Sequence, residues 1–417
     1  MFVHIDCNNF FVSCELVSRP DLQGKPVVVA NNNDNHGGII LALNQEAKAA
    51  GLKRGNPLFQ VMNIIRNKQV TVIDVHHNLY HEISAHIMDV VQKSEMVLDF
   101  VQYSVDEFFG TMPDDDPTRL RTYLQQVKDI IWRETHIPVS CGAGLTYTLA
   151  KLATHYAKHY AGYRGICIMP ADKRQTALER LPVKEVWGLG RRSMKPLEQM
   201  GIKTALDYAN MQPQAVKRLF GIRGVRTWSE LNGTPSLEIT GKSARQQSIM
   251  YSRTFAHMIS SKDELLTQLT NFTSAACRRL RAQQSLCTTV MIFLATNRHR
   301  DDLPQYSNDQ SIRLQTATDD TIQISAAVRI LLDKIFRSGY LYKQAGVILS
   351  GLQAGDGVQL DLFANNYVEE SERRKKLMQA FDRINAKHGS NKIHFSGQGE
   401  AATEQMAGFM RPHKIEE

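Results

Sequence analysis

Long apolar runs are missing from this chain, and none approaches the roughly eighteen residues of a membrane-spanning helix. The N-terminus also lacks a basic region followed by an apolar signal core, so a cytoplasmic location with no membrane partner is expected. Cysteines are few, and Cys7, Cys14, Cys141, Cys167, Cys277 and Cys287 form no CxxC pair. Structural zinc therefore has no sequence support, and scattered single thiols suit a reducing compartment.

What is present is an ordinary globular composition, 42% hydrophobic and 22% charged over 417 residues. A chain of this length is too long for one compact core and divides into two to four domains. The formal charge of +8 fits a polyanionic partner, although charge alone does not separate nucleic acid from other partners.

Residues 2–5 read as a strand running directly into Asp6, and 25–31 (KPVVVAN) as another. Between them, 8–17 has helical spacing, and 44–51 (NQEAKAAG) reads as a helix stopped by Gly51. A longer amphipathic helix over 79–94 leads into strand, turn, strand over 97–110. Helix 121–136, strand 138–145 and helix 148–160 complete one α+β unit with an insertion after its first strand. From about 175 to 240 the pattern is helical, and the polar stretch 241–248 reads as a linker. Strands at 288–295 and 344–352 with helices at 263–283 and 324–339 form a second α+β unit. After about 355 the chain is mostly polar and is expected to extend from the body.

The chemically suggestive acids are Asp6 at a strand end and Asp106-Glu107 in a turn. Taken alone, adjacent acids in a turn usually face water. Phosphoryl transfer, however, needs hard divalent cations on oxygen ligands, and converging carboxylates hold two such ions about 3.5–4 Å apart. The backbone carbonyl of Cys7 is a further candidate ligand. Phe10 and Phe11 read by composition as core residues of a short helix, and Lys48 and Lys158 as exposed helix cations.

FVHIDCNNFFVSCE (2–15), YSVDE (103–107) and LAKLATHYAK (149–158) resemble the Y-family lesion-bypass DNA polymerases. KPVVVANNND (25–34), NQEAKAAGLKRGNPLF (44–59), VWGLGRR (186–192), QLDLF and a late GQG extend the likeness over nearly the whole chain, toward the UmuC-type branch. The resemblance implies an α+β, multidomain right-hand fold: palm (1–10 and 75–170), fingers (11–74), helical thumb with a helix-hairpin-helix (171–240), little finger (249–352) and a C-terminal clamp- and partner-binding tail (353–417). It implies error-prone translesion synthesis in the SOS response on primed template DNA with deoxynucleotides. Two Mg2+ ions would be held by Asp6, Cys7, Asp106 and Glu107, with Asp6, Asp106 and Glu107 catalytic. Phe10, Phe11, Lys48 and Lys158 fall at nucleotide-side positions, with Phe11 as steric gate against a ribose 2′-hydroxyl. Implied partners are a processed UmuD-like dimer, RecA and the β sliding clamp.

Four positions depart from the branch: Leu43 stands where an Arg is usual, Tyr147 for Lys, Phe108 for Ala beside the acids, and His86 for Arg. They remove positive charge or add bulk near the expected nucleotide pocket. A catalytically weakened accessory protein that binds DNA and the clamp is therefore the alternative reading.

Gly188 and Gly190 permit a tight turn before a helix, with Arg191 and Arg192 adding charge, a pattern suited to DNA phosphates. Arg253, Arg278 and Arg281 are further expected phosphate contacts. Gln359, Leu360, Asp361, Leu362 and Phe363 match a sliding-clamp ligand motif, unless the apolar residues pack on their own domain as a short edge strand.

Overall fold

A computed structural model of the chain describes residues 1–31, 38–239, 245–355, 367–389, 392–395 and 397–398. It divides into two compact units, Met1–Ser243 and Ala244–Glu417.

The first unit begins with β1 (Phe2–Cys7) and α1 (Phe10–Val17), followed by β2 (Val27–Ala30), β3 (Ile40–Leu43), α2 (Gln45–Ala49), α3 (Leu58–Asn67) and β4 (Thr71–Asp74). Next come α4 (His77–Ser94), β5 (Leu98–Gln102), β6 (Glu107–Thr111), α5 (Pro117–Thr135), β7 (Val139–Gly144), α6 (Tyr147–His159) and β8 (Ile166–Ile168). A helical stretch closes the unit: α7 (Arg174–Arg180), α8 (Arg191–Gln199), α9 (Ala205–Ala209) and α10 (Pro213–Leu231).

The main sheet runs β5-β6-β1-β7-β8, so the first strand lies at its centre, and a smaller sheet β3-β2-β4 forms the insertion. Alternation along β1 explains the two faces, because successive side chains of a strand point in opposite directions. Val3, Ile5 and Cys7 join a core with Ile87 of α4 and Leu124 and Val127 of α5. His4 and Asp6 turn to the other face, where Thr154 and Lys158 of α6 meet them.

Helix α6 lies unusually close to β7. A Cβ at Gly142 would sit 2.3 Å from the Ala150 oxygen and 2.3 Å from the Thr154 nitrogen, both backbone atoms of α6. Only glycine permits that approach, and the approach brings the lysines of α6 to the sheet. The opposite side of α6, through Leu149, Leu152 and Tyr156, packs with Leu178, Leu197 and Tyr208 of the helical stretch.

The second unit comprises β9 (Ser248–Ile259), α11 (Lys262–Ala282), β10 (Ser285–Thr296), β11 (Ser307–Thr318), α12 (Thr321–Ile335), β12 (Tyr342–Ser350), β13 (Gln353–Ala354) and α13 (Tyr367–His388). Its sheet order is β11-β10-β12-β9, with β13 added against β10. Leu269 of α11 and Val328 and Leu332 of α12 share a core with Val290, Ile292 and Val347 of the sheet.

The polar end of the chain does not simply extend from the body, contrary to its composition. Met378 of α13 is 1% exposed, and Asp382 forms a two-point ion pair with Arg281 of α11 at 2.6 and 2.8 Å. Arg374 pairs with Asp320 at 3.3 Å, and Phe381 stacks on Phe395 with ring centroids 4.6 Å apart. A few well-placed anchors dock a helix that carries too few apolar residues to announce its docking in sequence. Among the described residues no helix is long and apolar enough to cross a membrane.

Candidate active site

Antiparallel pairing of β1 and β6 places Asp6 directly opposite Glu107, and the Cys7 amide donates to the Asp106 carbonyl at 2.9 Å. Thus two acids separated by a hundred residues in sequence share one rung of the sheet, with the third acid next to it. The Asp106 carboxylate accepts from the Ser104 hydroxyl at 2.6 Å. Cys7 itself points into the core, where burial pushes its thiol well above the usual range, so only its backbone lies at the site.

Lys158 pairs with Asp6, and Lys151 donates to both Glu107 oxygens at 2.7 and 2.8 Å. The two lysines are seven residues apart, two helical turns, and therefore project from one face of α6. Burial raises the Asp6 carboxyl to about 6; Lys158 opposes that shift, while Glu107 and Asp106 add to it. The carboxylates are thus a concentration of poorly solvated negative charge, which gathers cations.

His4 lies beneath them. Its Nδ1 shares a 2.9 Å hydrogen bond with the Thr154 hydroxyl, and its Nε2 is 3.9 Å from Glu107 with no hydrogen-bond partner among the described residues. Burial, then the charges of Lys151 and Lys158, hold its pKa well below the usual value, so the ring is neutral. Asp6, His4, Lys151 and Lys158 line a cavity of about 370 Å³ together with His155 and Trp187. Lys151 also lies over the rings of Tyr103 and Trp187, at 5.5 and 5.2 Å.

Sequence reasoning named Lys158 but missed Lys151, His4 and Trp187. The i, i+7 spacing within LAKLATHYAK was the available signal for Lys151. For His4 it was the even spacing with Asp6 along one strand.

Asn9, in the left-handed conformation at φ 47, opens α1 and accepts from Lys48 of α2 at 3.3 Å. The two adjacent aromatic residues then part. Phe11 stays partly exposed and stacks on Tyr80 at 4.3 Å between centroids and 18° between planes. Phe10, grouped with it as a nucleotide contact, is instead a core residue at 3% exposure, because it occupies the inward face of α1. Neither Phe11 nor Lys48 lines the 370 Å³ cavity.

The departures fall differently from expectation. Phe108 does not crowd the acids: it points to the opposite face of β6, fully buried and stacked on Phe100 at 5.4 Å. Leu43 is buried in the core of the small sheet, and Tyr147 packs against Phe2 and Phe109. His86 is exposed on α4.

Gly188 has φ +90, and a Cβ there would meet the Thr227 hydroxyl at 2.6 Å, so the turn before α8 requires glycine. Gly190 is the N-cap of α8 with open space around it, and Arg191 and Arg192 are exposed in its first turn. In the second unit, Arg253 is exposed and Arg278 half-buried. Arg281 departs from its expected role as a phosphate contact. Its side chain is 10% exposed and is occupied by Asp382, the Asp319 carbonyl and Thr321. The Gln359–Phe363 motif lies outside the described residues.

Among the described residues no three His, Cys, Asp or Glu side chains converge closely enough to hold a metal ion. The donor set of Asp6, Asp106 and Glu107 is nevertheless all oxygen, the chemistry of a hard divalent cation, and two ammonium groups already sit against it.

Comparison with known proteins settles the lineage. A model of the impB/mucB/samB family matches residues 5–155, and a model of the C-terminal domain of that family matches 246–362. UmuC of Salmonella typhimurium is 34% identical over 402 residues, covering 96% of this chain and 94% of UmuC. The chain belongs to the UmuC/MucB/ImpB group of Y-family DNA polymerases. MucB of Escherichia coli is also 34% identical, over 96% of this chain and 93% of its own length. DNA polymerase IV 2 of Halalkalibacterium halodurans is 26% identical over 93% of this chain and 92% of its own. Among solved structures, a Y-family DNA polymerase chimera superposes with a TM-score of 0.68 over 85% of this chain and 99% of the chimera. Its 18% identity speaks to fold, and the fold is the α+β multidomain architecture of Y-family polymerases. A domain of unknown function matches residues 375–408.

Proposed function

We propose that this polymerase performs error-prone translesion synthesis in the SOS response, by nucleotidyl transfer at Asp6, Asp106 and Glu107. The observation that carries the reading is the Asp6–Glu107 rung with Asp106 beside it, under two lysines of one helix face. Family membership implies magnesium dependence, and we assign two ions to these three carboxylates and the Cys7 carbonyl. When bound, magnesium lowers the pKa of the primer 3′-hydroxyl and neutralises charge on the departing pyrophosphate.

The protein's own residues supply position and charge. Lys158 is in reach of Asp6 and holds positive charge where triphosphate charge develops; Lys48, beside Asn9, does so from the insertion. Phe11, braced by Tyr80, presents its ring to the incoming sugar and excludes a 2′-hydroxyl. Gly188 and Gly190 with Arg191 and Arg192 hold duplex phosphates, as do Arg253 and Arg278.

In this reading 1–10 and 75–170 form the palm, 11–74 the fingers, 171–240 the thumb and 249–352 the little finger. Residues 353–417 carry the β-clamp motif and contacts to a processed UmuD-like dimer and RecA. The test is template-dependent primer extension with magnesium, in the presence of these partners. Loss of extension in Asp106→Ala supports the reading; equal extension in both proteins rejects it.

A further inference from the structure

The matched domain of unknown function begins inside α13, and from Arg373 onward the two sides of that helix have opposite characters. Arg374, Met378, Phe381, Asp382 and Asn385 recur at steps of three or four and face the body. Arg374 and Asp382 are ion-paired there, and Met378 and Asn385 are buried. Arg373, Lys376, Arg383 and Lys387 recur at steps of three, seven and four, which at 100° per residue groups them within about 80° of arc on the other side. All four are exposed.

From Arg373 to the end of α13 there are six Lys or Arg residues and one acid, Asp382. That acid is turned inward and neutralised by Arg281. The outward face thus has cations with no carboxylate among them over this stretch. Arg383 and Lys387 are four residues apart, a like-charge spacing that is mildly unfavourable in an isolated helix. An approaching polyanion relieves it.

We propose that the outer face of α13, through Arg373, Lys376, Arg383 and Lys387, is a duplex-DNA phosphate contact presented by docking of the helix through Arg281 and Arg374. The reading rests on the polymerase assignment only in naming DNA as the polyanion. The stripe runs about 21 Å along the helix, a length over which one strand of B-DNA presents about six phosphates. Exposed Leu377 and Ile384 border the stripe on one side and leave the charged face continuous. Such contacts position DNA without reading its sequence.

The experiment measures binding of a labelled primer–template by the full-length protein across a salt series, comparing wild type with Lys376→Gln/Arg383→Gln/Lys387→Gln. All three side chains are exposed, and an unchanged thermal melt verifies the fold. Each released phosphate contact contributes about 0.9 to the slope of log K against log salt, so the variant's slope should be shallower by about 2–3, with weaker binding on every sequence tested. Primer extension at low salt and saturating DNA should persist. A variant with wild-type slope and affinity overturns the proposal and assigns the stripe to an acidic protein instead. A wild type that shows no magnesium-dependent extension, together with the shallower slope in the variant, defeats the polymerase reading and leaves this surface standing.

Discussion

Asp6 and Glu107 are register partners across the β1–β6 ladder, and each is met by a lysine from the same face of α6, Lys158 for one and Lys151 for the other. This four-residue arrangement follows from three local choices. An acid at an outward position of a buried strand, a turn that delivers a second acid opposite it, and a glycine that lets a helix lie close above them are sufficient.

The first consequence is a pH dependence. Burial raises the Asp6 carboxyl from its ordinary value to about 6. The folded protein therefore binds that proton more tightly than the unfolded chain does. The stabilisation is fully present below about pH 4 and is lost as pH rises through about 6. Two units correspond to roughly 3 kcal/mol. In chelator, unfolding titrations from pH 4 to 7 should show wild type losing about 2–3 kcal/mol relative to Asp6→Asn. A constant difference between the two proteins over that range is incompatible with the buried-carboxylate account.

Gly142 governs the distance between helix and sheet. Gly142→Ala puts a methyl group against two backbone atoms of α6, and backbone does not step aside as a flexible side chain would. The expected cost is about 1–3 kcal/mol or more, together with reduced extension as Lys151 and Lys158 shift from the acids. Denaturant melts and primer extension measure the two effects. Wild-type values in both would show that the close approach is unimportant.

Phe11 is braced face to face by Tyr80. Replacing it with Ala should raise ribonucleotide insertion relative to deoxynucleotide insertion, while the fold, which relies on Phe10 at this point, survives. Single-nucleotide insertion kinetics measure the ratio, and an unchanged ratio removes Phe11 as the sugar gate.

For the clamp motif, Leu362→Ala/Phe363→Ala should abolish binding to the β clamp and clamp-stimulated extension. Unstimulated extension on short primed templates should remain nearly unchanged, because tethering raises effective concentration and makes no contact at the reacting atoms. A folded double variant that binds the clamp normally eliminates the motif as the tether.

The legible parts of the fold were those whose side chains are sorted by burial. The strand into Asp6, the pair around Asp106-Glu107, and the β7–α6 unit all carry apolar residues at the spacing of their element. Strands β9 and β11 escaped notice because few of their side chains are buried, β11 being mostly polar and β9 mixing apolar and polar residues without clean alternation, and pairing with β12 and β10 holds them. The docking of α13 was hidden for a related reason. Its anchors are two Arg–Asp pairs, one between residues 101 positions apart and one between residues 54 positions apart, which leave no local pattern.

At the site, the family motifs carried Asp6, Asp106, Glu107 and Lys158, but strand direction was harder to read. Phe108 follows the acids in sequence and for that reason looked close to them, yet it lies across the sheet from Glu107's face. The same alternation that hides Phe108 in the core brings His4 below the acids, with a ring nitrogen that has no hydrogen-bond partner among the described residues and that no motif would reveal.

The central claim is that the Asp6–Glu107 rung, with Asp106, is where nucleotidyl transfer occurs. Magnesium-dependent extension of a primed template by Asp6→Ala, measured alongside its affinity for the same DNA, tests it most directly. The account predicts that extension collapses while DNA binding largely survives, since the phosphate-holding residues lie elsewhere in the chain. Extension near the wild-type rate in Asp6→Ala would contradict it.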